Sequence, residues 1–304
     1  MEFGKLEGVE LSEVDFSLPE DSLLTKTTLS ASNRTEALKI YVGCTRWGNK
    51  GWSGRIYPPK IKEREMLKEY SKHFNSIELN ATFYSIPKPD DVKRWREQVE
   101  ERPDFRFSPK LPQSITNARR LKNAEELSAQ FFEAINHLGD RLGPISIQLS
   151  ETFNPKSFEN LENYLNQWPT GVPVAVELRN KNWFQVPEER DRLFETLHKF
   201  NTGTVITDVA GRRDCAHMEL TTPHAMVRFV GNDLHKTDYE RADAWVSRIK
   251  NWRELGLKSL WFFVHEANED NSPAMAEYFI KQLNQELGTD VRPPNFIQKD
   301  SLLF

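Results

Sequence analysis

The stretch "FNSIELNATFY", from Phe74 to Tyr84, decides the fold. Apolar residues at positions 77, 79 and 81 alternate with polar residues at 78, 80 and 82, which is the period of a β-strand. On an edge strand, Glu78 and Asn80 would face water. If both faces of the strand are covered, burying these two polar side chains costs free energy that other groups must offset.

Seven further segments have strand character, and segments with apolar residues three and four apart, typical of helices, separate most of them. Only the link between the sixth and seventh strands, "VAGRRDCAHMELTTPH", is irregular. Alternating βα units predict a parallel sheet, and eight units are the number that closes into a barrel. A doubly wound open sheet is the competing fold, but no GxGxxG turn follows the first strand. The predicted strands are 39–45, 76–83, 105–111, 144–150, 173–179, 204–208, 225–230 and 260–265.

The predicted fold is therefore α/β, a single TIM (β/α)8-type barrel with an N-terminal extension. A length of 304 residues accommodates one such barrel with additions at its ends. Turn signals and weak periodicity place the extension at residues 1–37. The barrel then occupies residues 38–290, and a C-terminal tail occupies residues 291–304.

Composition limits the classes of protein to be considered. A net charge of -4 and a pI of about 6.0 do not favour nucleic-acid binding, although a local basic patch remains an alternative. Cys44 and Cys215 form no metal-binding spacing, which favours a reducing compartment. The acidic start lacks the features of a signal peptide, and no apolar run approaches the roughly 20 residues that cross a bilayer. We expect a cytoplasmic protein without membrane contact; the sequence does not indicate its oligomeric state.

The inward-facing residues of the predicted strands form a polar cluster. In a parallel barrel alternate residues point inward, and sites lie at the C-terminal ends of the strands, which form the mouth. Three acids and three bases nearly balance, so mutual pairing would lower their desolvation cost. The cluster is either a ligand site or a network that pairs only with itself and fixes the register. Its predicted members are Glu78, Asn80, Lys110, Gln148, Glu177, Arg179, Asp208, Arg228 and His265.

Three of these residues are predicted to be catalytic: Glu78, Lys110 and Glu177. Glu78 is the candidate general base, because burial raises a carboxyl pKa while a nearby cation lowers it. Lys110 would polarise a carbonyl or hold a phosphate. Arg179 and Arg228 suit bidentate contact with a carboxylate or a phosphate. The predicted ligand is thus a small anionic molecule.

A divalent metal is the alternative for part of the cluster. His265 is a candidate proton carrier or metal ligand. Together with Glu177, Asp208 and Glu266 it offers oxygen and nitrogen ligands for a divalent ion, although no HExxH-type spacing supports a metal site.

Two loops add candidate binding residues. The segment "TRWGNKGWSGRIYPP" follows the first strand, and its aromatic residues Trp47, Trp52 and Tyr57 are candidates for a wall of the pocket. The segment "AGRRD" follows the sixth strand and offers Arg212 and Arg213 to an anion. A packed surface loop and a solvated charge pair are the respective alternatives.

The sequence also resembles a known family, the YecE-like proteins (domain of unknown function 72). The resemblance covers about residues 39–287, and the segments "ELNATFY" and "VAVELRNKNWF" are its most specific parts. It implies a TIM barrel related in shape to endonuclease IV and xylose isomerase, and no particular reaction. Two segments depart from the family pattern: residues 44–47 after the first strand, and "FVHEANED" after the eighth. The polar positions that the resemblance implies are Glu78, Asn80, Tyr84, Lys110, Gln148, Glu177, Arg179 and Trp183.

The leading hypothesis is an enzyme that acts on a small polar or anionic substrate, phosphorylated or carboxylated. Asn80 and Gln148 would orient the ligand, and Trp47 and Trp183 would wall the pocket. One alternative is metal-dependent phosphodiester cleavage by analogy with endonuclease IV, which rests on the fold alone. Another is a barrel without catalytic activity that binds nucleic acid or protein.

Overall fold

Eight parallel strands form the centre of the protein. The structure is a computed structural model that describes residues 4, 6, 8–32 and 36–298. Within this part of the chain every predicted strand is present, but the second is shorter than predicted: it ends at Leu79, and residues 81–84 form a short helix instead. The strands are β1 (Lys39–Cys44), β2 (Ser76–Leu79), β3 (Arg106–Pro109), β4 (Ile145–Gln148), β5 (Val174–Glu177), β6 (Gly203–Asp208), β7 (His224–Val230) and β8 (Ser259–His265).

The sheet curls into a barrel. The strand order is β3-β2-β1-β8-β7-β6-β5-β4, and all seven pairings are parallel. β3 meets β4 through a bridge between Lys110 and Ser146, where the Leu111 amide donates to the Ser146 carbonyl over 2.9 Å. This contact closes the ring, so the predicted TIM-type barrel is confirmed.

Helices surround the strands and bury their apolar faces against them. Within the described residues the α-helices are α1 (Leu23–Ser30), α2 (Met66–His73), α3 (Ala81–Tyr84), α4 (Pro89–Gln98), α5 (Glu125–Ile135), α6 (Phe158–Asn166), α7 (Asn182–Gln185), α8 (Pro187–Lys199), α9 (Lys236–Leu255) and α10 (Ser272–Leu287). None of them is long and apolar enough to traverse a bilayer.

The barrel interior has an apolar lower layer and a polar upper layer. Towards the N-terminal ends of the strands, the rings of Tyr41 and Trp261 stack with their centroids 4.0 Å apart. Met226 and Phe263 pack into the same small cluster. This apolar layer lies across the barrel below the polar side chains, which occupy the C-terminal mouth.

The link from β6 to β7 contains a 3-10 helix, Ala210–Cys215, and no α-helix in residues 209–223, all of which the structure describes. Part of the N-terminal extension covers this gap. The Thr25 hydroxyl of α1 donates to the Met218 carbonyl over 2.8 Å and accepts from the Leu220 amide over 2.8 Å. Leu29, on the same helix, is completely buried. The extension therefore replaces the missing barrel helix.

Further contacts fix both ends of the chain to the barrel. Asp21 accepts hydrogen bonds from Arg248 over 2.5 Å and from the Trp252 indole over 3.0 Å, both on α9. Near the C-terminus, Phe296 packs against the core. Residues 1–3, 5, 7 and 33–35 of the predicted extension and 299–304 of the predicted tail lie outside the described residues.

Candidate functional site

Seven polar side chains meet inside the mouth of the barrel, and we call them the mouth cluster. Each lies within two residues of the C-terminal end of its strand, and each is at most 9% exposed. The members of the mouth cluster are Glu78, Lys110, Gln148, Glu177, Arg179, Arg228 and His265.

Arg228 lies at the centre of the mouth cluster. Its guanidinium is 2.8 Å from Glu78 Oε1 and 2.9 Å from Glu177 Oε1, and both carboxylates are completely buried. The Nε2 atom of His265 is 3.0 Å from Glu78 Oε2 and 3.1 Å from the Arg228 guanidinium. One arginine on β7 thus joins residues from β2, β5 and β8.

Lys110 and Arg179 share one amide oxygen. The Lys110 ammonium donates to Gln148 Oε1 over 3.0 Å, and the Arg179 guanidinium donates to the same atom over 2.8 Å. Lys110 also lies 3.3 Å from Glu78 Oε1. Two cations therefore converge on Gln148. Gln148 and Arg179 are the two least buried members of the cluster.

The carboxylate of Glu177 is paired at only one of its oxygens. Its Oε1 accepts from Arg179 over 2.8 Å, from Arg228 over 2.9 Å and from the Thr207 hydroxyl over 3.0 Å. Its Oε2 is buried and has no hydrogen-bond partner in the described chain. A buried carboxylate oxygen without a partner loses its hydration, so a ligand that brings a donor would stabilise it.

The cations of the cluster keep both carboxyl groups ionised. Burial by itself raises the pKa of Glu177, but Arg179, Arg228 and Lys110 outweigh it and lower that pKa to about 2. In the same way Arg228 and Lys110 outweigh burial and hold the pKa of Glu78 well below its usual value. Both groups are therefore carboxylates at neutral pH.

Burial and Arg228 lower the pKa of Lys110 to about 8, against the opposing effect of the two glutamates. Burial and Arg228 also lower the pKa of His265, so its ring is neutral at neutral pH. With three cations and two carboxylates, the cluster carries one excess positive charge below pH 8. Lys110 can gain or lose a proton near neutral pH, which is what acid–base chemistry requires.

The lowered pKa of Glu177 predicts a loss of stability in acid. A carboxyl whose pKa is depressed in the folded state stabilises the fold above its unfolded value of 4.5, and that contribution disappears as pH falls towards 2. The shift corresponds to on the order of 3 kcal/mol. Urea unfolding at pH 7, 5 and 3 measures it. The Glu177→Gln variant should lose less stability between pH 5 and 3 than the wild type; equal losses would contradict this assignment.

Asp208 does not belong to the mouth cluster, so the prediction that it faces the cavity is wrong. It lies on the outer face of β6 and accepts from Arg241 over 3.1 Å and from the Trp245 indole over 2.8 Å, both on α9. Arg213 also pairs with it. Thr207 takes the inward position, because an outer carboxylate is tolerated where two arginines and an indole satisfy it.

The predicted metal cage is not formed either. Asp208 is on the outside of the barrel, and Glu266 accepts from the Asp233 amide over 2.8 Å, beyond the end of β8. Burial, reinforced by Asp238, raises the pKa of Glu266 to about 8. Within the described residues, no group of three or more histidine, cysteine, aspartate or glutamate side chains is arranged to hold a metal ion.

Of the two tryptophans predicted to wall the pocket, Trp183 packs into the protein instead, while for the half-buried Trp47 this role stays a prediction. Trp183 is completely buried and donates to the Phe153 carbonyl over 2.7 Å. Trp47 is half-buried and packs edge-on against Trp95 of α4, with ring centroids 5.7 Å apart. They contribute to the core, because the loops after β1 and β5 fold back onto the helices.

Two polar residues implied by the family resemblance lie outside the network of contacts. Asn80 is half-buried at the start of α3, and its backbone N–H donates to the backbone carbonyl of Glu78 over 3.0 Å. Tyr84, at the end of α3, is 72% exposed. Within the described residues, neither side chain forms a hydrogen bond or an ion pair with the mouth cluster, and their predicted ligand-binding roles remain predictions.

The remaining loop candidates are also engaged by protein groups. Trp52 and Tyr57 are completely buried. Arg212 pairs with Glu151 over 3.1 Å and with Asp214 over 2.9 Å. The arginines after β6 are therefore occupied by carboxylates in this structure.

The sequence analysis missed Thr207. The strand reads "TVITD" from residue 204, and each of the two possible inward rows, 204/206/208 and 205/207, contains one apolar residue beside polar ones. Periodicity does not separate the two rows in such a strand. A weak signal exists in Arg241 and Trp245, since apolar helix faces rarely carry an arginine without an acid opposite it.

The sequence of this chain is similar to those of known proteins. A family model described as "Protein of unknown function DUF72" matches residues 41–297. The UPF0759 protein YecE of Escherichia coli strain K12 is 29% identical over 281 residues, which cover 86% of this chain and 99% of that protein. The UPF0759 protein YunF of Bacillus subtilis strain 168 is 31% identical over 158 residues, 49% of this chain and 53% of that protein.

Solved structures show the same fold. A DUF72 family protein from Enterococcus faecalis V583 has a TM-score of 0.63 at 19% identity, covering 85% of this chain and 99% of that chain. A DUF72 family protein from Thermotoga maritima MSB8 has a TM-score of 0.57 at 21% identity, covering 83% of this chain and 100% of that chain. At these identities the likeness concerns the fold alone.

Proposed function

This chain belongs to the family of proteins of unknown function DUF72. From the chemistry of its mouth cluster, we propose that it is an enzyme that acts on a small anionic substrate. The substrate would also carry a hydrogen-bond donor such as a hydroxyl group. The observation that carries the proposal is the excess positive charge of the cluster next to the unpartnered Oε2 atom of Glu177. The excess charge suits a carboxylate or a phosphate, and the free oxygen suits a donor on the same molecule.

Arg179 and Lys110 would bind the anionic group. Arg179 and Gln148 are the cluster members nearest to solvent, at 9% and 8% exposure, so a substrate meets them first. Lys110 lies behind them at 3% exposure, next to Glu78. An anion bound to Arg179 and Lys110 would accept the hydrogen bonds that these two residues now donate to Gln148. These bonds would offset the cost of removing water from the anion.

Lys110 would transfer the proton, because its pKa of about 8 lies near neutral pH, and Glu78 would hold it in position. Because Glu78 is ionised, the proton between it and His265 lies on the histidine Nε2, which donates to Glu78 Oε2. Lys110 and Arg228 flank the other oxygen of the same carboxylate. Glu78 thus accepts one hydrogen bond and faces two cations, and a carboxylate fixed in this way keeps Lys110 in one orientation, a preorganisation that favours general acid–base chemistry.

We expect Lys110→Met to weaken the binding of inorganic phosphate at least about 10-fold, since it removes the excess positive charge. Isothermal titration calorimetry with phosphate at pH 7 measures the affinity. Glu78→Gln should not weaken phosphate binding, because it removes a negative charge from the same site. The exposed Lys60→Met is the control for the loss of a lysine.

Circular dichroism shows whether each variant is folded. Unchanged phosphate affinity in folded Lys110→Met would show that the anion site lies elsewhere. Native mass spectrometry of the purified wild type adds a search for a bound metabolite, which we expect to be absent from the Lys110→Met protein.

A further inference from the structure

A second cavity opens at the opposite end of the barrel. It has a volume of about 720 Å³ and lies among the residues that begin the strands, including Lys39, Arg106, Gly203, His224 and Ser259. This volume is within the range of cavities that hold small organic molecules. The function proposed for the mouth cluster makes no use of it.

Aromatic and apolar groups form the floor of the cavity. The stacked rings of Tyr41 and Trp261 line it together with Met226 and Ala175. The Trp261 indole donates to the Ser259 hydroxyl over 3.2 Å, which fixes the ring in place. A flat apolar surface of this kind favours a flat apolar ligand.

The charged groups of the cavity have one sign. Lys39 and Arg106 line it, and no aspartate or glutamate occurs among its lining residues, all of which the structure describes. His224 also lines it, with Nδ1 2.8 Å from the Ser259 hydroxyl. The Arg106 guanidinium donates to the Pro103 and Phe105 carbonyls, so Lys39 is the cation with the fewest protein contacts.

The apolar layer separates this cavity from the mouth cluster. Phe263 is completely buried, and Trp261 is 8% exposed. The two residues occupy the interior between Ser259 at the start of β8 and His265 at its end. A molecule in the lower cavity would therefore not touch the mouth cluster.

We propose that the lower cavity is a second ligand site, which binds a small organic anion with a flat apolar body. The apolar body lies on the Tyr41–Trp261 floor, and the charged group faces Lys39 and His224. The positive rim selects the charge of the ligand, and the stacked floor selects its shape. The site is independent of the reaction proposed for the mouth.

The charges around His224 agree with the positive sign of the rim. Burial lowers the pKa of His224, and the charges of Lys258 and Lys39 lower it further, while Glu36 opposes them. An anion bound beside the ring stabilises its protonated form, so the pKa should rise on binding.

The test uses 8-anilinonaphthalene-1-sulfonate, an anion that carries a flat naphthalene ring system and whose fluorescence rises on binding. We expect one molecule to bind per folded chain, and Lys39→Glu to weaken its affinity about 10-fold, since the substitution reverses one charge at a partly exposed rim. The control Lys62→Glu makes the same charge change in the β1–α2 connection, at the mouth end. N-phenyl-1-naphthylamine has the same rings without the sulfonate and should bind at least about 10-fold more weakly than the anion.

NMR titration of the histidine rings locates the probe. We expect the His224 signals, assigned with a His224→Gln variant, to shift when the anion binds and to titrate at a higher pH. Equal effects of Lys39→Glu and Lys62→Glu, equal affinity for the two probes, or unchanged His224 signals would each overturn the proposal. Loss of phosphate binding in Lys110→Met bears only on the mouth, so the two sites are tested separately.

Discussion

Arg228→Met is expected to lower the free energy of unfolding by about 3–5 kcal/mol, the range for breaking a buried ion pair by removing one partner. The substitution leaves Glu78 and Glu177 completely buried without their shared arginine. Lys110 and Arg179 remain, but neither contacts both carboxylates within ion-pair distance. Denaturation by urea at pH 7 measures the change.

The control is Arg64→Met, since Arg64 is an exposed arginine whose contact with Glu65 is 3.8 Å long. Exposed pairs of this kind contribute roughly 0–1 kcal/mol. The double variant Arg228→Met with Glu78→Gln should recover part of the lost stability, because it removes one of the unpaired charges. An Arg228→Met protein as stable as the Arg64→Met protein would contradict the network of contacts described here.

Deletion of residues 1–32 is expected to destabilise the barrel by on the order of 5 kcal/mol. Burial of one leucine contributes about 1.5–3 kcal/mol, and the deletion removes completely buried Leu29 and the partly buried Leu18 and Leu24 that pack on the core. It also leaves the Met218 carbonyl and the Leu220 amide without Thr25. Thermal and urea unfolding of the shortened chain measure the loss.

Two leucines of α1 provide a matched pair for this prediction. Leu29→Ala should cost about 2–5 kcal/mol, the range for a buried leucine. Leu23→Ala, at a position that is 80% exposed, should change stability by less than about 0.5 kcal/mol. A shortened chain with the stability of the full chain, or equal effects of the two leucine variants, would show that the extension does not replace a barrel helix.

The barrel itself could be predicted from periodicity. The segment around Glu78 has period two, and the helical segments between strands have apolar residues three and four apart. These local patterns specify which segments pair, and the right-handed βα connection leaves few arrangements for eight of them. The irregular link after β6 was also visible, since its sequence lacks a helical stripe.

The convergence of the mouth cluster could be predicted in part. Glu78, Glu177 and Arg228 each lie in a strand whose alternate residues are clearly apolar, so the parity is unambiguous. In the strand of Asp208 the parity is ambiguous, and the sequence assigned Asp208 to the wrong face of the strand. What resolved the ambiguity was the pairing of Asp208 with Arg241, 33 residues later in the chain.

The replacement of a barrel helix by the N-terminal extension had no signal in the sequence. Thr25 and Leu220 are 195 residues apart and meet only because the closed barrel brings the β6–β7 link to the chain that precedes β1. The lower cavity is of the same kind, since it is assembled from the starting residues of several strands.

By itself the sequence determined the alternation of strands and helices, the closed parallel barrel and the strands that carry charge into it, because these depend on the local spacing of apolar and polar residues. Only the tertiary structure decided which carboxylate shares which arginine, which oxygen of Glu177 is left without a partner, and where Asp208 and Trp183 point. Such contacts join residues that are far apart in sequence, and their geometry depends on how the whole ring closes.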